Sequence, residues 1–400
     1  MLLALGEAAR RGDAARAAAL AATLGDAPRQ YWTLPVEDFP GLDGDIAPYY
    51  RDWLAHPTYD DYWRRWSIDE DYARVAVPAL HVGGLYDVFL SGTVANFTAL
   101  RRQAGDEAAR RAQKLVLAPL THMPWTPAGT PGPGPGGRDA GANAIDDWMV
   151  RYYDQVLKGR DTGALDAPAT LYVLGAGWRD FGDWPPPAAK ATDWFLHSAG
   201  RANTAAGDGT LSPEQPGDEP PDLYIHDPSD PVLSQGGHSC CIDRITPMGP
   251  ACQCAGEARK AVVVYTSTPL ARDLDLVGDV TLTLHAVTTA RDTDFVARLC
   301  VVGADGCSRN LQEGILRASF RDSLSHPTPI EPGRAYEYRI ALGPVAARVP
   351  AGSRLRLDVA SSDFPQWDRG IGGILDALPA TQTVLHDRAR ASRVTLPVLR

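Results

Sequence analysis

Long apolar runs are missing from this 400-residue chain. None approaches the roughly 20 residues that span a bilayer, so no membrane helix is expected. The N-terminus is apolar only from Met1 to Leu5 and then carries Glu7, Arg10 and Arg11. A secretory leader has the opposite order, positive charge first and then roughly 7–15 apolar residues, so the expected location is the cytoplasm. Positive charge is also in deficit. Lys and Arg total 39 against 49 Asp and Glu, a net charge of −10. The arginines are interleaved with acids rather than gathered in a stripe, which argues against nucleic acid and anionic membrane as partners. Cysteine is scarce: there are six, all between Cys240 and Cys307.

What is present divides the chain into three stretches. Four hundred residues exceed one ordinary core, so more than one domain is expected. Residues 1–75 read as helical: Ala and Arg, both strong helix formers, dominate up to Leu24. Tyr49, Tyr50, Trp53, Tyr59, Tyr62, Trp63 and Trp66 then crowd together. These rings either pack a small helical layer or roof a substrate pocket. Residues 76–165 alternate strand and helix. Val94, Phe97 and Leu100 recur at helical spacing, and Ile145, Trp148, Met149, Tyr152 and Val156 mark one face of an amphipathic helix closed by Lys158-Gly159. A breaker-rich loop from Pro127 to Gly137 lies between. From 166 to 400, short β-branched runs alternate with Gly/Pro/Asp turns: 170–174, 194–197, 261–267, 280–286, 294–302, 335–342, 354–360 and 394–399. That rhythm predicts an all-β jelly-roll sandwich. Two long polar loops, 200–221 and 227–256, interrupt it.

The chemistry concentrates at two predicted strand ends. Ala79–Val82 is a short buried-looking run that ends in Gly83-Gly84, and Asp87 follows. Leu115-Val-Leu-Ala-Pro is a second such run and ends in Thr121-His122. Open α/β sheets build their sites outside the carboxyl ends of strands. The order acid then histidine matches the last two members of the Ser…Asp…His series of α/β-hydrolases. A carboxylate fixes the tautomer of such a histidine and stabilises its cation. The histidine's reference pKa, roughly 6.5, suits it to take and return a proton. Either residue alone is more simply a turn former or a satisfied polar group.

The segments around the pair extend this. Pro78-Ala-Leu-His-Val-Gly-Gly-Leu-Tyr-Asp-Val-Phe resembles the acid-bearing segment of the CocE/NonD hydrolases, which include X-Pro dipeptidyl-peptidases and cocaine esterases. Leu115-Val-Leu-Ala-Pro-Leu-Thr-His is similar to their histidine segment, with Ala118-Pro119-Leu120 where the family usually has Gly-Pro-Trp. Val264-Tyr-Thr-Ser-Thr-Pro-Leu, Asn310-Leu-Gln-Glu-Gly-Ile-Leu-Arg-Ala and Ser361-Ser-Asp-Phe-Pro-Gln-Trp-Asp-Arg resemble the family's C-terminal jelly roll. The resemblance implies a helical cap (1–75), the C-terminal part of an α/β-hydrolase sheet (76–165) and a jelly roll (166–400). It implies Asp87 as triad acid, His122 as base and Phe89 lining the pocket, without cofactor or metal. The expected substrate is a small ester, amide or peptide, split through an acyl-enzyme.

The departure is the nucleophile. The family's serine lies on Gly-x-Ser-x-Gly ahead of the cap, and no such motif occurs here. The expectation is an incomplete chain completed by an N-terminal complementing segment, or a self-associating homo-oligomer. The competing class is a non-catalytic binding or scaffold protein whose jelly roll takes carbohydrate or a partner. Gly237-His238-Ser239-Cys240-Cys241 fails the motif at its fifth position, and Ser91 reads as a helix N-cap. Cys240/Cys241 and Cys252/Cys254 fit zinc spacing poorly, so free thiols are expected, with one loop disulfide as the alternative.

Overall fold

A computed structural model of the chain describes residues 1–122, 143–240, 247–369 and 378–400. The predicted breaker-rich loop at 127–137 and Cys241 lie outside the described residues. The first stretch is helical: α1 (Leu2–Arg10), α2 (Ala14–Gly25), α3 (Ala27–Gln30), α4 (Pro48–Ala55) and α5 (Asp61–Arg64). Asp13 caps α2 by accepting from the Arg16 amide at 3.0 Å, a contact that typically contributes about 1 kcal/mol. Ala4, Ala8, Leu20, Leu42 and Ile46 form a small separate core beneath the first two helices.

Strand β1 (Leu80–Tyr86) pairs parallel with β2 (Lys114–Thr121), joined through α6 (Leu90–Gln103) and α7 (Glu107–Arg111). Parallel strands need such a crossover. β2 is buried along its whole length, as a strand covered on both faces should be. Leu90, Val94, Phe97 and Leu100 form the buried face of α6. Helix α8 (Asn143–Lys158) follows, with Ile145 and Tyr152 buried but Met149 exposed. The expected apolar face is therefore only partly covered. β3 (Ala169–Val173) and β4 (Gly177–Phe181) complete a sheet of order β1-β2-β3-β4. The run at 170–174, read from sequence as the first strand of the sandwich, thus pairs with β2 instead. The α/β sheet reaches past residue 166.

The remaining strands, β5 (Ala189–His197), β6 (Thr210–Ser212), β7 (Asp222–His226), β8 (Val263–Thr266), β9 (Leu274–Thr288), β10 (Asp294–Val302), β11 (Ser308–Arg317), β12 (Tyr336–Val349), β13 (Arg354–Ala360), β14 (Ala380–Leu385) and β15 (Arg393–Leu399), form one curled sheet. Its path is β11-β10-β13-β8-β6-β5-β15-β9-β14-β7, with β12 on β9. Neighbours are antiparallel except for the single β6–β8 bridge. Leu282, Leu284, Phe295, Leu299, Ile340, Leu357 and Val394 fill its interior and join Leu85, Phe97 and Leu117 in one continuous core. Leu174 bridges to Ala347, its amide donating to Ala346 and its carbonyl accepting from Arg348. The α/β part and the sandwich are thereby sewn together at the end of β3. No helix among the described residues is long and apolar enough to cross a membrane.

Candidate active site

The site begins with a glycine. A Cβ on Gly84 would lie 2.4 Å from the Leu120 carbonyl oxygen, so only glycine lets β1 and β2 approach this closely. The register slips there: Gly84 faces Ala118, whereas Tyr86 faces Thr121. That slip makes the next residue of each strand, Asp87 and His122, neighbours. The Asp87 amide donates to Gly84 O at 3.1 Å, and Asp87 O accepts from Leu90 at 3.0 Å as α6 begins.

His122 Nδ1 lies 3.1 Å from Asp87 Oδ1 and 3.2 Å from Oδ2. The Asp87 side chain is 10% exposed and that of His122 is 26% exposed. Asp87 Oδ1 also accepts the Phe89 amide at 2.8 Å, which holds the carboxylate in place. The Phe89 ring stands edge-on to the imidazole, centroids 5.0 Å apart, although Phe89 itself is largely exposed. A carboxylate accepting from Nδ1–H leaves Nε2 as the basic nitrogen. Among the described residues, His122 makes no hydrogen bond except to Asp87.

The sandwich supports this turn through residues that sequence inspection did not single out for the purpose. Buried Tyr86 donates its hydroxyl to Asn310 O at 3.1 Å. His238, stacked on Tyr86, places Nε2 2.8 Å from Leu85 O and Nδ1 2.8 Å from Glu313 Oε1. Both partners are acceptors only, so both ring nitrogens carry hydrogen and His238 is an imidazolium. Burial works against that charge, but the Glu313 carboxylate outweighs it and moves the pKa upward. Glu313 is in turn held down at about 2, burial being overcome by His238. Seventy-five residues separate the partners, and no local pattern announces them.

A cavity of about 690 Å³ opens beside Asp87, between Tyr49 and Trp53 of α4 and His238, Glu313 and Trp367 of the sandwich. Two of the seven crowded aromatics thus face the cavity, while Trp66 is 73% exposed. Ser91 is not an N-cap: α6 starts at Leu90 with Phe89 in the cap position and no side-chain cap bond. Ser239 donates to Pro247 O at 2.8 Å and is buried.

A second Ser, His and carboxylate set lies in the sandwich. Ser198 Oγ is 3.3 Å from His386 Nε2, but that nitrogen is also 2.9 Å from Asp222 Oδ2. Ser198, Tyr265 and the Ala202 amide all donate to Asp222 at 2.8 Å. Burial raises the Asp222 pKa, yet these bonds and His386 outweigh it, and the net shift is downward. A His386 Nε2–H committed to Asp222 cannot accept the serine proton. This network holds the sandwich together.

As for metal, Glu257, Cys300 and Asp358 bring ligand atoms within 4.8 Å of one another. Arg356 already pairs with Glu257, and burial together with the Glu257 charge drives the Asp358 carboxyl well above its ordinary value. Both ring nitrogens of His238 are engaged, which removes it from any zinc set with the cysteines. Of the thiols, Cys240 is disulfide-bonded, contrary to the expectation of free thiols throughout. Cys252, Cys254, Cys300 and Cys307 are free.

With this geometry in view, residues 149–395 match the X-Pro dipeptidyl-peptidase C-terminal non-catalytic domain, and residues 4–124 match the X-Pro dipeptidyl-peptidase (S15 family). The chain is 31% identical over 413 residues to cocaine esterase from Rhodococcus sp. (strain MB1 Bresler), covering 98% of this chain and 68% of that protein. An aminopeptidase from a marine sediment archaeon (Thaumarchaeota archaeon) superposes with a TM-score of 0.77 at 24% identity, over 90% of this chain and 61% of that one. An α-amino acid ester hydrolase does so with a TM-score of 0.75 at 24% identity, over 88% and 61%. The chain therefore spans about two thirds or less of the length of each.

Proposed function

The chain belongs to the CocE/NonD family of hydrolases, and from that premise we propose that Asp87 and His122 are the acid and base of a Ser-His-Asp site that hydrolyses a small ester or amide. The observation that carries this reading is the Nδ1–carboxylate contact of 3.1 Å with Nε2 turned away from it. In that arrangement Nε2 takes the proton of an attacking alcohol while Asp87 stabilises the imidazolium that forms. The same proton then passes to the leaving alcohol or amine. Water repeats the sequence against the acyl-enzyme.

The attacking alcohol is not identified among these residues. The sequence has no Gly-x-Ser-x-Gly, and among the described residues no hydroxyl hydrogen-bonds to His122. In our reading the serine and its oxyanion donors come from polypeptide outside residues 1–400 and dock against the Asp87–His122 end of the sheet. The aromatic wall of Tyr49, Trp53 and Trp367 favours an apolar acyl or leaving group. X-Pro peptides and small aromatic esters both fit that description.

The test is fluorophosphonate labelling and p-nitrophenyl ester turnover. The chain alone should show neither, and adding or co-expressing a serine-bearing partner segment should restore both. A serine within residues 1–400 labelled in the isolated chain would sink the proposal.

A further inference from the structure

Apart from the Asp87–His122 site, the sandwich carries three thiols near one another at its surface. Cys252 and Cys254 are exposed, and Cys307 is half-buried. Gln253 between the first two is buried, its amide donating to Gln235 O at 2.6 Å and Ala251 O at 3.1 Å. Its backbone N–H donates to Ser308 O at 2.7 Å, and Cys252 bridges to Arg309. With the middle residue pinned on both sides, the two flanking side chains are driven outward together. Their Sγ atoms are 3.0 Å apart, about 1 Å from the separation of a disulfide bond. Among the described residues they belong to no group of three close metal-ligand atoms.

We propose that Cys252-Gln253-Cys254 is a thiol–disulfide exchange site, with Cys252 the attacking thiolate, Cys254 the resolving thiol, and a low-molecular-weight disulfide the oxidant. Three features order the roles. Burial raises the Cys252 pKa, but hydrogen bonds from Cys307 and Cys254 overcome it and the net shift is downward. Cys307 is pushed up to about 12, by burial first and then by Cys252, so it remains a thiol donor. The Arg309 guanidinium is held first by Asp305 at 2.7 Å and also feels Cys307 and Cys252, a cation that favours thiolate in part. In the first step Cys252 Sγ attacks one sulfur of the reagent, the reagent S–S bond breaks, and one thiolate leaves. Cys254 then gives its proton to solvent and attacks Cys252 Sγ, expelling the second thiolate. Two protein thiols are oxidised and one reagent disulfide is reduced to two thiols. A ring this small is strained, which makes the product readily reducible.

The experiment uses the full chain equilibrated in glutathione buffers of graded ratio, quenched with iodoacetamide and peptide-mapped. The 252–254 peptide should lose two hydrogens as the buffer becomes oxidising and recover them with dithiothreitol. Cys254→Ser should accumulate a glutathione adduct on Cys252. Cys252→Ser should form the adduct on Cys254 at least about tenfold more slowly. Iodoacetamide reacting with Cys252 no faster than with Cys307, or a Cys252–Cys307 link in place of Cys252–Cys254, would overturn the assignment.

Discussion

The four-stranded sheet and the sandwich use the same residue types to opposite ends. At the tips of β1 and β2, Asp87 holds one nitrogen of His122 and leaves the other without a bond among the described residues. In the sandwich, the His386 nitrogen nearest Ser198 is taken by Asp222, and His238 is spent on both sides by Glu313 and Leu85. The imidazole of His386 is fully buried, whereas that of His122 is 26% exposed. A serine, a histidine and an acid within reach do not by themselves make an acyl-transfer site. Such a site also requires a ring nitrogen that is unclaimed and reachable.

The sharpest way to break this comparison is to neutralise each acid in turn. With a serine-bearing segment supplied, Asp87→Asn should lower kcat by about 10⁴ through loss of the correct tautomer. Its unfolding midpoint in urea should barely move. Asp222→Ala should do the reverse. It strips a buried histidine and three further donors of their acceptor, a loss of about 3–5 kcal/mol, read from urea unfolding, with kcat of the folded fraction unchanged. A large fall in kcat for Asp222→Ala would erase the distinction.

The His238–Glu313 pair sharpens it through pH. The pKa of Glu313 falls from 4.5 to about 2 on folding, so its contribution is full above about pH 4.5 and is lost as pH drops toward 2. The pKa of His238 is raised above 6.5, so its contribution is full below about pH 6.5 and fades as pH climbs through the folded value. Unfolding free energy should therefore gain on the order of 3 kcal/mol from this pair on its acid side, between about pH 2 and 4.5. The gain should plateau and then decline on the alkaline side. His238→Gln should flatten the alkaline limb.

Smaller effects follow. Tyr86→Phe removes one buried hydrogen bond to Asn310 O and should cost about 1 kcal/mol. Phe89→Ala, at an exposed ring, should change stability by no more than about 0.5 kcal/mol. With the serine segment present it should raise KM more than it lowers kcat.

Much of this was readable in one dimension. The apolar runs before Gly84 and Thr121 announce parallel strands, and the runs at 294–302 and 354–360 coincide with β10 and β13. β4, β6, β7, β11 and β14 went unread as strands. Most are short, and buried polar residues such as Asp222, Asn310, Gln312 and Gln382, whose burial depends on distant partners, interrupt the apolar pattern. Ser91 looked like a cap because cap chemistry is local, and it failed because the turn from Asp87 O to the Leu90 amide starts α6 at Leu90, which puts Ser91 inside the helix. Cys252-Gln253-Cys254 has poor zinc spacing, but nothing local shows that Gln253 is pinned or that Cys307 comes alongside.

The sequence by itself determined the order of elements, the acid and histidine at successive strand ends, and the missing serine motif, because periodicity and turn chemistry act over a few residues. Tertiary structure decided which histidine keeps a free nitrogen. It set the register slip at Gly84 that brings Asp87 to His122, and it clamped Leu85 through His238 and Glu313. Those outcomes depend on close approach and on desolvated charge, and both are settled only when distant segments exclude water together.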